Sequence, residues 1–444
     1  MKPITNTLLD FLDKHISAKL SNIPKIHFSV KSSKLLGDIF HHFKDAETNY
    51  NRTTSTPSTT STEFRRSPTT YGNSGSGSLQ TINMRVVDKT DGLLKGNDYH
   101  FIPPHAREHI ENTYHYQNTY SFKIKNREFV VGLVYPHTKT KMQANHFFEE
   151  SMKRIYMWLY TASIYAPANC SNTLHIYLYF TDLMKTLPTH GTSIDQINAN
   201  TAATRSCNKT NEIHLYREEE WFKVLIHECF HCFGLDFSEY DCSKTTKYIL
   251  QLFPVKSDVL LFETYCEMWA EILNVMFISY LSTKHVENLY AILVDKMIKK
   301  TAKMLEKEQE FSLFQCIKVL HFYGLDYNDL HKQTVAAHSK RTNQYNEKTN
   351  ILSYYILKSI YMFSVDDFIE WCANNNHNSI NFNKSANVLH KSQEDYCKFI
   401  FERYKDPLYI ESANALTKWF DKMENKKIVE KIESRTLRMS VYEL

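Results

Sequence analysis

Apolar residues recur along this chain with two periods, and the alternation between them outlines the architecture. Asn83-Met-Arg-Val-Val87, Tyr120-Ser-Phe-Lys-Ile-Lys125 and Glu128-Phe-Val-Val-Gly-Leu-Val134 alternate like strands, the last two joined as a hairpin across Asn126-Arg127. Lys141 to Tyr160 has a helical period, Thr173 to Phe180 alternates again, and Glu212 to Tyr216 is a short strand that leads into the apolar run Trp221 to Leu235. Beyond Thr283 the pattern is helical over Asn288 to Lys307, Phe311 to Phe322, Asn350 to Phe363, Asp366 to Asn374 and Asp395 to Tyr404. Strands mixed with helices, then helices alone, predict an α+β fold with a mainly helical C-terminal part. Leu8 to Phe43 also reads as helical, whereas the Ser/Thr-rich stretch 47–80 lacks the apolar surface to offset the entropy of ordering. The expected organisation is a small helical segment (1–46), a disordered linker (47–80), a β-rich segment (81–140), a core (141–283) and a helical domain (284–444).

One of these apolar runs carries chemistry. Residues 227–231 read His227-Glu228-Cys229-Phe230-His231, and on a helix histidines four apart lie on one face with Cβ atoms about 5–6 Å apart, within reach of one metal ion. Glu228, next to the first histidine, can take a proton from a metal-bound water. The run is apolar nearly all round, so His227, Glu228 and His231 would be buried, which is costly unless they are paired or metal-bound. Glu218, Glu219 and Glu220 precede the run, where acids suit a helix N-terminus, and Gly234 lies where the helix would end.

A catalytic zinc takes three protein ligands and keeps a fourth position for water. Downstream, Leu260 to Phe277 places Glu263, Glu267 and Glu271 four apart on one face of an apolar helix, with no lysine or arginine between Val259 and Tyr280 to neutralise them. HExxH followed by a glutamate on a second helix resembles the gluzincin zinc peptidases, and Glu267-Met-Trp-Ala-Glu271 resembles the ExxAE helix of lethal-factor-like metalloproteases. The resemblance implies a zincin-like core of mixed sheet and active-site helix. It also implies Zn²⁺ held by His227, His231 and Glu267, Glu228 as general base, Glu271 orienting a histidine from behind, and an edge strand from 193–207 lining a cleft for a protein or peptide substrate. Glu263 is the rival third ligand. A metzincin pattern would need histidine at 237, where the chain has Phe237, and Asp236 is a minor ligand option. A tyrosine or histidine donor is expected but not located; Tyr265 falls on another face from Glu267. His190 and His214 have no partner spacing and read as structural or exposed.

Composition narrows the setting. A formal charge of +4 over 444 residues, with no basic block, argues against nucleic acid as the main ligand. No stretch is long and apolar enough to span a bilayer, and residues 1–13 lack a signal-peptide core, so a cytoplasmic protein is expected. Nine scattered cysteines read as reduced, with Cys229 and Cys232 as packing residues. The Asn/Lys/Ile/Tyr-rich composition resembles metallopeptidases of nucleocytoplasmic large DNA viruses, which implies processing of virion or host proteins, with virion association. Two other readings compete: a zincin scaffold that cuts nothing and serves as a structural or interaction protein, and a metal-dependent hydrolase of a non-peptide amide.

Overall fold

The computed structural model describes residues 1–54, 80–87, 92–113, 115–136, 140–189, 193–283, 290–424 and 432–444; for 80–87 it describes the backbone. The expected linker and His190 lie largely or wholly outside these residues. In chain order the elements are α1 (Pro3–His15), α2 (Val30–Thr54), β1 (Gln80–Val87), α3 (Pro104–Glu111), β2 (His115–Ile124), β3 (Arg127–Pro136), α4 (Lys141–Tyr165), β4 (Thr173–Tyr179), α5 (Gln196–Ala199), β5 (Ala202–Thr204), β6 (Thr210–Leu215) and α6 (Trp221–Cys232). Helices follow: α7 (Ser243–Leu252), α8 (Leu261–Leu281), α9 (Tyr290–Phe322), α10 (Tyr327–His331), α11 (Val335–Gln344), a π-helical turn (Leu352–Leu357), α12 (Lys358–Phe363), α13 (Val365–Asn375), α14 (Leu389–Arg403), α15 (Pro407–Glu424) and α16 (Ile432–Arg435).

The fold is α+β. Six strands form one mixed sheet in the order β1-β2-β3-β4-β6-β5. Strands β1, β2 and β3 are antiparallel neighbours, β3, β4 and β6 run parallel, and β5 closes the edge antiparallel to β6. The boundary expected at 140 therefore runs through a single sheet, between β3 and its parallel neighbour β4. The β2–β3 hairpin pairs Ile124 with Arg127, so its turn is Lys125-Asn126, one residue earlier than expected, with Lys125 at φ 53°.

Helices α4 and α6 pack together through Trp158 and Phe230, whose rings stack 6.2 Å apart. The opposite sheet face carries a smaller apolar cluster with Tyr99, Ile102, Ala106, Ile110, Tyr179 and Tyr216. The N-terminal helices dock on the main core: Phe43 meets Phe277 at 4.0 Å, and Phe11 meets Phe314 at 5.4 Å. Helix α2 also corrects the start of the linker, because it continues through Thr54; Glu47 binds Lys153 and Tyr50 packs on Tyr156, which orders residues that composition alone marked as disordered. The two helices expected at 288–307 and 311–322 are one, α9, continuous through Glu308 and Gln309, which composition does not mark as buried but which lie inside the protein.

The expectation of reduced cysteines fails at one pair. Cys170 and Cys207 form a disulfide, with Cα atoms 4.8 Å apart. The cause is topological: β4 and β6 pair from Thr173↔Thr210 onward, so the loops that precede them meet. Cys229 and Cys232 are free and fully buried.

Candidate metal centre

Helix α6 is held by long-range contacts at its N-terminus and by a local motif at its C-terminus. Its N-cap, Glu220, adopts a left-handed conformation and does not cap through its side chain. That carboxylate is buried and instead accepts from Lys185 Nζ and from the backbone N–H groups of Met439 and Ser440, so the acids before the helix serve tertiary contacts more than the helix dipole. At the other end Leu235 N donates to Phe230 O and Gly234 N to His231 O, a Schellman pair that needs the left-handed Gly234 (φ +59°). A Cβ at 234 would lie 2.9 Å from Cys170 Sγ and 3.1 Å from the Cys207 Cβ. Gly234→Ala should therefore destabilise the fold by about 2 kcal/mol, from backbone strain and crowding together, read as a lower urea midpoint.

The two histidines of α6 turn their Nε2 atoms toward each other, 3.2 Å apart. Glu263 of α8 comes to the same point: its Oε2 is 3.1 Å from His227 Nε2 and 3.4 Å from His231 Nε2. These three buried groups could hold one metal ion. The spacing suits it, because a tetrahedral ion with bonds of about 2.0 Å sets its ligand atoms about 3.3 Å apart. The far nitrogens are each backed by a carboxylate: His227 Nδ1 meets Glu267 Oε2 at 3.0 Å, and His231 Nδ1 meets Asp236 Oδ2 at 2.5 Å. Such backing fixes which nitrogen faces a metal.

Of the acids on α8, the structure brings Glu263 to the paired Nε2 atoms and Glu267 only to the back of His227. Glu267 also accepts from Lys223 Nζ at 2.5 Å, and Glu271, one turn on, accepts from Lys358 Nζ at 2.7 Å. The cations missing from α8 itself thus come from α6 and α12. Among the described residues no lysine pairs with Glu263; its partners are the two imidazoles and the Tyr354 hydroxyl, which donates to Oε2 at 3.1 Å. Burial alone would push the Glu263 carboxyl up, but His231 and His227 hold it well below the carboxylate range. Burial likewise opposes the charge on Glu267, which Lys223 and His227 keep low. For Glu228 burial wins over the two histidines and raises the carboxyl.

Beside Glu228 and His227 lies a cavity of about 40 Å³, also lined by Lys185, Asn200, Lys223 and Tyr354. That is room for a water or two. Asn200 and Ala202 also line a larger groove of about 310 Å³ on the outer side of β5, bounded by Phe101, Pro103, Arg205 and Tyr216. Sequence reasoning missed Tyr354, Lys223 and the place of Asp236 behind His231. Lys223 left a signal, one lysine in an apolar run four residues before His227; Tyr354 left none. Tyr265 points away from the site, donating to Ile380 O, and His214 is a buried structural partner of Glu212.

Comparison of the chain with protein-family models, with curated proteins and with solved structures returns no match. Among the described residues no helix is long and apolar enough to cross a membrane.

Proposed function

We propose that this chain is a zinc-dependent endopeptidase of gluzincin type with a zincin-like core. The observation that carries the reading is the triangle of Nε2, Nε2 and Oε2 atoms from His227, His231 and Glu263, with both outer imidazole nitrogens held by carboxylates. In this reading Glu263 is the third ligand, Glu267 and Asp236 orient the histidines, and Glu271 serves the buried ion pair with Lys358. The ion would polarise a carbonyl and lower the pKa of its water. Glu228, at the adjacent cavity, is placed where it would accept a proton from an attacking water and return it to the leaving amine. The edge strand β5, with the groove beside it, offers main-chain pairing to an extended peptide that reaches Glu228 past Asn200 and Ala202.

Tyr354 supplies the donor that sequence could not locate. It sits in the π-helical turn, a geometry frequent at functional sites, with its ring 6.1 Å from that of His227 and its hydroxyl on Glu263. Burial keeps the phenol protonated, and its one proton, donated to Glu263 Oε2 in this structure, would turn to a developing oxyanion. Tyr354→Phe should lower kcat by about 10²- to 10³-fold with zinc content unchanged, measured by steady-state hydrolysis and elemental analysis of one preparation.

A second reading has an observation of its own. The 40 Å³ cavity and the 6–9% exposure of His227, Glu228 and His231 suit a small non-peptide amide better than a polypeptide. Assaying the zinc-loaded protein against a mixed peptide library and a panel of small acyl amides separates the two. Cleavage confined to the amides would replace the peptidase reading.

A further inference from the structure

Residues 435–444, from the end of α16 onward, run through the interior of the helical layer outside any regular strand, with a single isolated bridge at Thr436. Thr436, Leu437, Arg438, Ser440 and Val441 are at most 1% exposed. Their main chain is read by side chains rather than by a sheet. Lys318 donates to Thr436 O, Tyr355 to Leu437 O, Gln315 to Arg438 O, Lys358 to Met439 O and Asn274 to Tyr442 O. Glu220 accepts from the N–H groups of Met439 and Ser440, and Glu308 from those of Val441 and Tyr442. Its backbone pairing is sparse: in a short antiparallel bridge Leu187 N donates to Arg435 O and Leu437 N to Lys185 O, and near the other end Lys2 N donates to Glu443 O.

Glu308, Gln315 and Lys318 are fully buried on one face of α9, and every hydrogen bond described for Glu308 goes to residues 440–442. Without this segment the buried Glu308 carboxylate would lose every hydrogen bond described for it and the buried Lys318 ammonium would keep only its bond to Glu433 O, a costly arrangement. Polar side chains spaced to satisfy an extended main chain are what a peptide-binding site consists of.

The same segment reaches the candidate metal site. Met439 lines the cavity that holds Glu228 and His227, with its Sδ 3.8 Å from Lys223 Nζ, and its carbonyl accepts from Lys358. Lys223 holds Glu267, and Glu267 holds the Nδ1 of His227.

We propose that this interior is a peptide-binding channel, occupied by the chain's own residues 435–444, and that its occupancy sets the geometry of the metal site through Met439 and Lys223. Met439 is a positioning residue: it closes one wall around the Lys223 ammonium, so that the Lys223–Glu267–His227 relay has one arrangement. This second half rests on the metal-site reading above; the channel itself does not.

The test uses the full chain with a protease recognition sequence inserted between residues 424 and 432, cut after folding. The severed peptide should co-elute with the body in gel filtration. Stripping it in moderate urea should weaken zinc binding by about 10-fold, in the range of lost outer-shell support, and adding back the synthetic peptide 432–444 should restore it. A peptide carrying Met439→Gly should rebind without restoring zinc affinity. A peptide that elutes apart from a folded body overturns the channel, and a stripped body with undiminished zinc affinity overturns the coupling. Should stripping unfold the body, the uncut variants decide the coupling: Met439→Gly is expected about 10-fold weaker for zinc and Met439→Leu near wild type, and equal affinities overturn it. Wild type that takes up no zinc fails the metal reading alone, and co-elution still decides the channel.

Discussion

Glu263→Ala should empty the protein of zinc, whereas Glu267→Gln is expected to keep one equivalent bound about 10- to 100-fold more weakly. The two glutamates are one turn apart on α8, and what separates them is the cation each already has. Glu267 is committed on both oxygens, Oε1 to Lys223 and Oε2 to His227 Nδ1. To ligate the ion it would have to leave a buried ammonium unpaired, which costs several kcal/mol. Glu263 faces both Nε2 atoms, and the partners described for its charge are the two imidazoles and a phenol. On the proposed assignment, removing it would delete a ligand, whereas removing the charge of Glu267 would leave the ligands in place with one histidine less firmly aimed. Elemental analysis and a chelator competition read both effects in the same samples. Zinc lost from Glu267→Gln and retained by Glu263→Ala would return the third-ligand role to Glu267 and refute the assignment made from the geometry.

The α+β class and most elements were legible because they depend on local periods. Helices α6 and α8 appear in sequence as apolar runs with histidines or acids four apart, and β4, β6 and the β2–β3 hairpin as alternation. That Glu263, Glu267 and Glu271 share a face was equally legible. Which of them meets the histidines was not, because the answer lies in Lys223, 44 positions from Glu267, and Lys358, 87 positions from Glu271. Spacing within a helix says nothing about cations delivered by other helices. The same holds for residues 435–444, whose polar partners at 220, 274, 308, 315, 318, 355 and 358 form no local pattern, and for Tyr354, one tyrosine among 28. The Cys170–Cys207 pair was hidden for a related reason: it follows from β4 and β6 being neighbours, which cysteine spacing does not reveal.

Glu228→Gln should separate holding the metal from using it. The substitution preserves shape, so the cavity beside His227 keeps its size and the zinc content stays at the wild-type level. What is lost is basicity. Burial raises the Glu228 carboxyl above the ordinary carboxylate range against the pull of His227 and His231, bringing it nearer the pH at which a general base works best. Glutamine cannot accept the water's proton, and the expected drop in kcat is about 10²- to 10⁴-fold, the usual worth of a positioned acid–base group. KM should move little, because on this reading Glu228 acts on the attacking water rather than on the substrate chain. Hydrolysis and zinc content measured on the same preparation are sufficient. A Glu228→Gln protein that cleaves at the wild-type rate would assign the base elsewhere. Wild type that binds zinc at His227, His231 and Glu263 yet cleaves neither peptides nor small amides would leave the metal a structural part and the chain a scaffold.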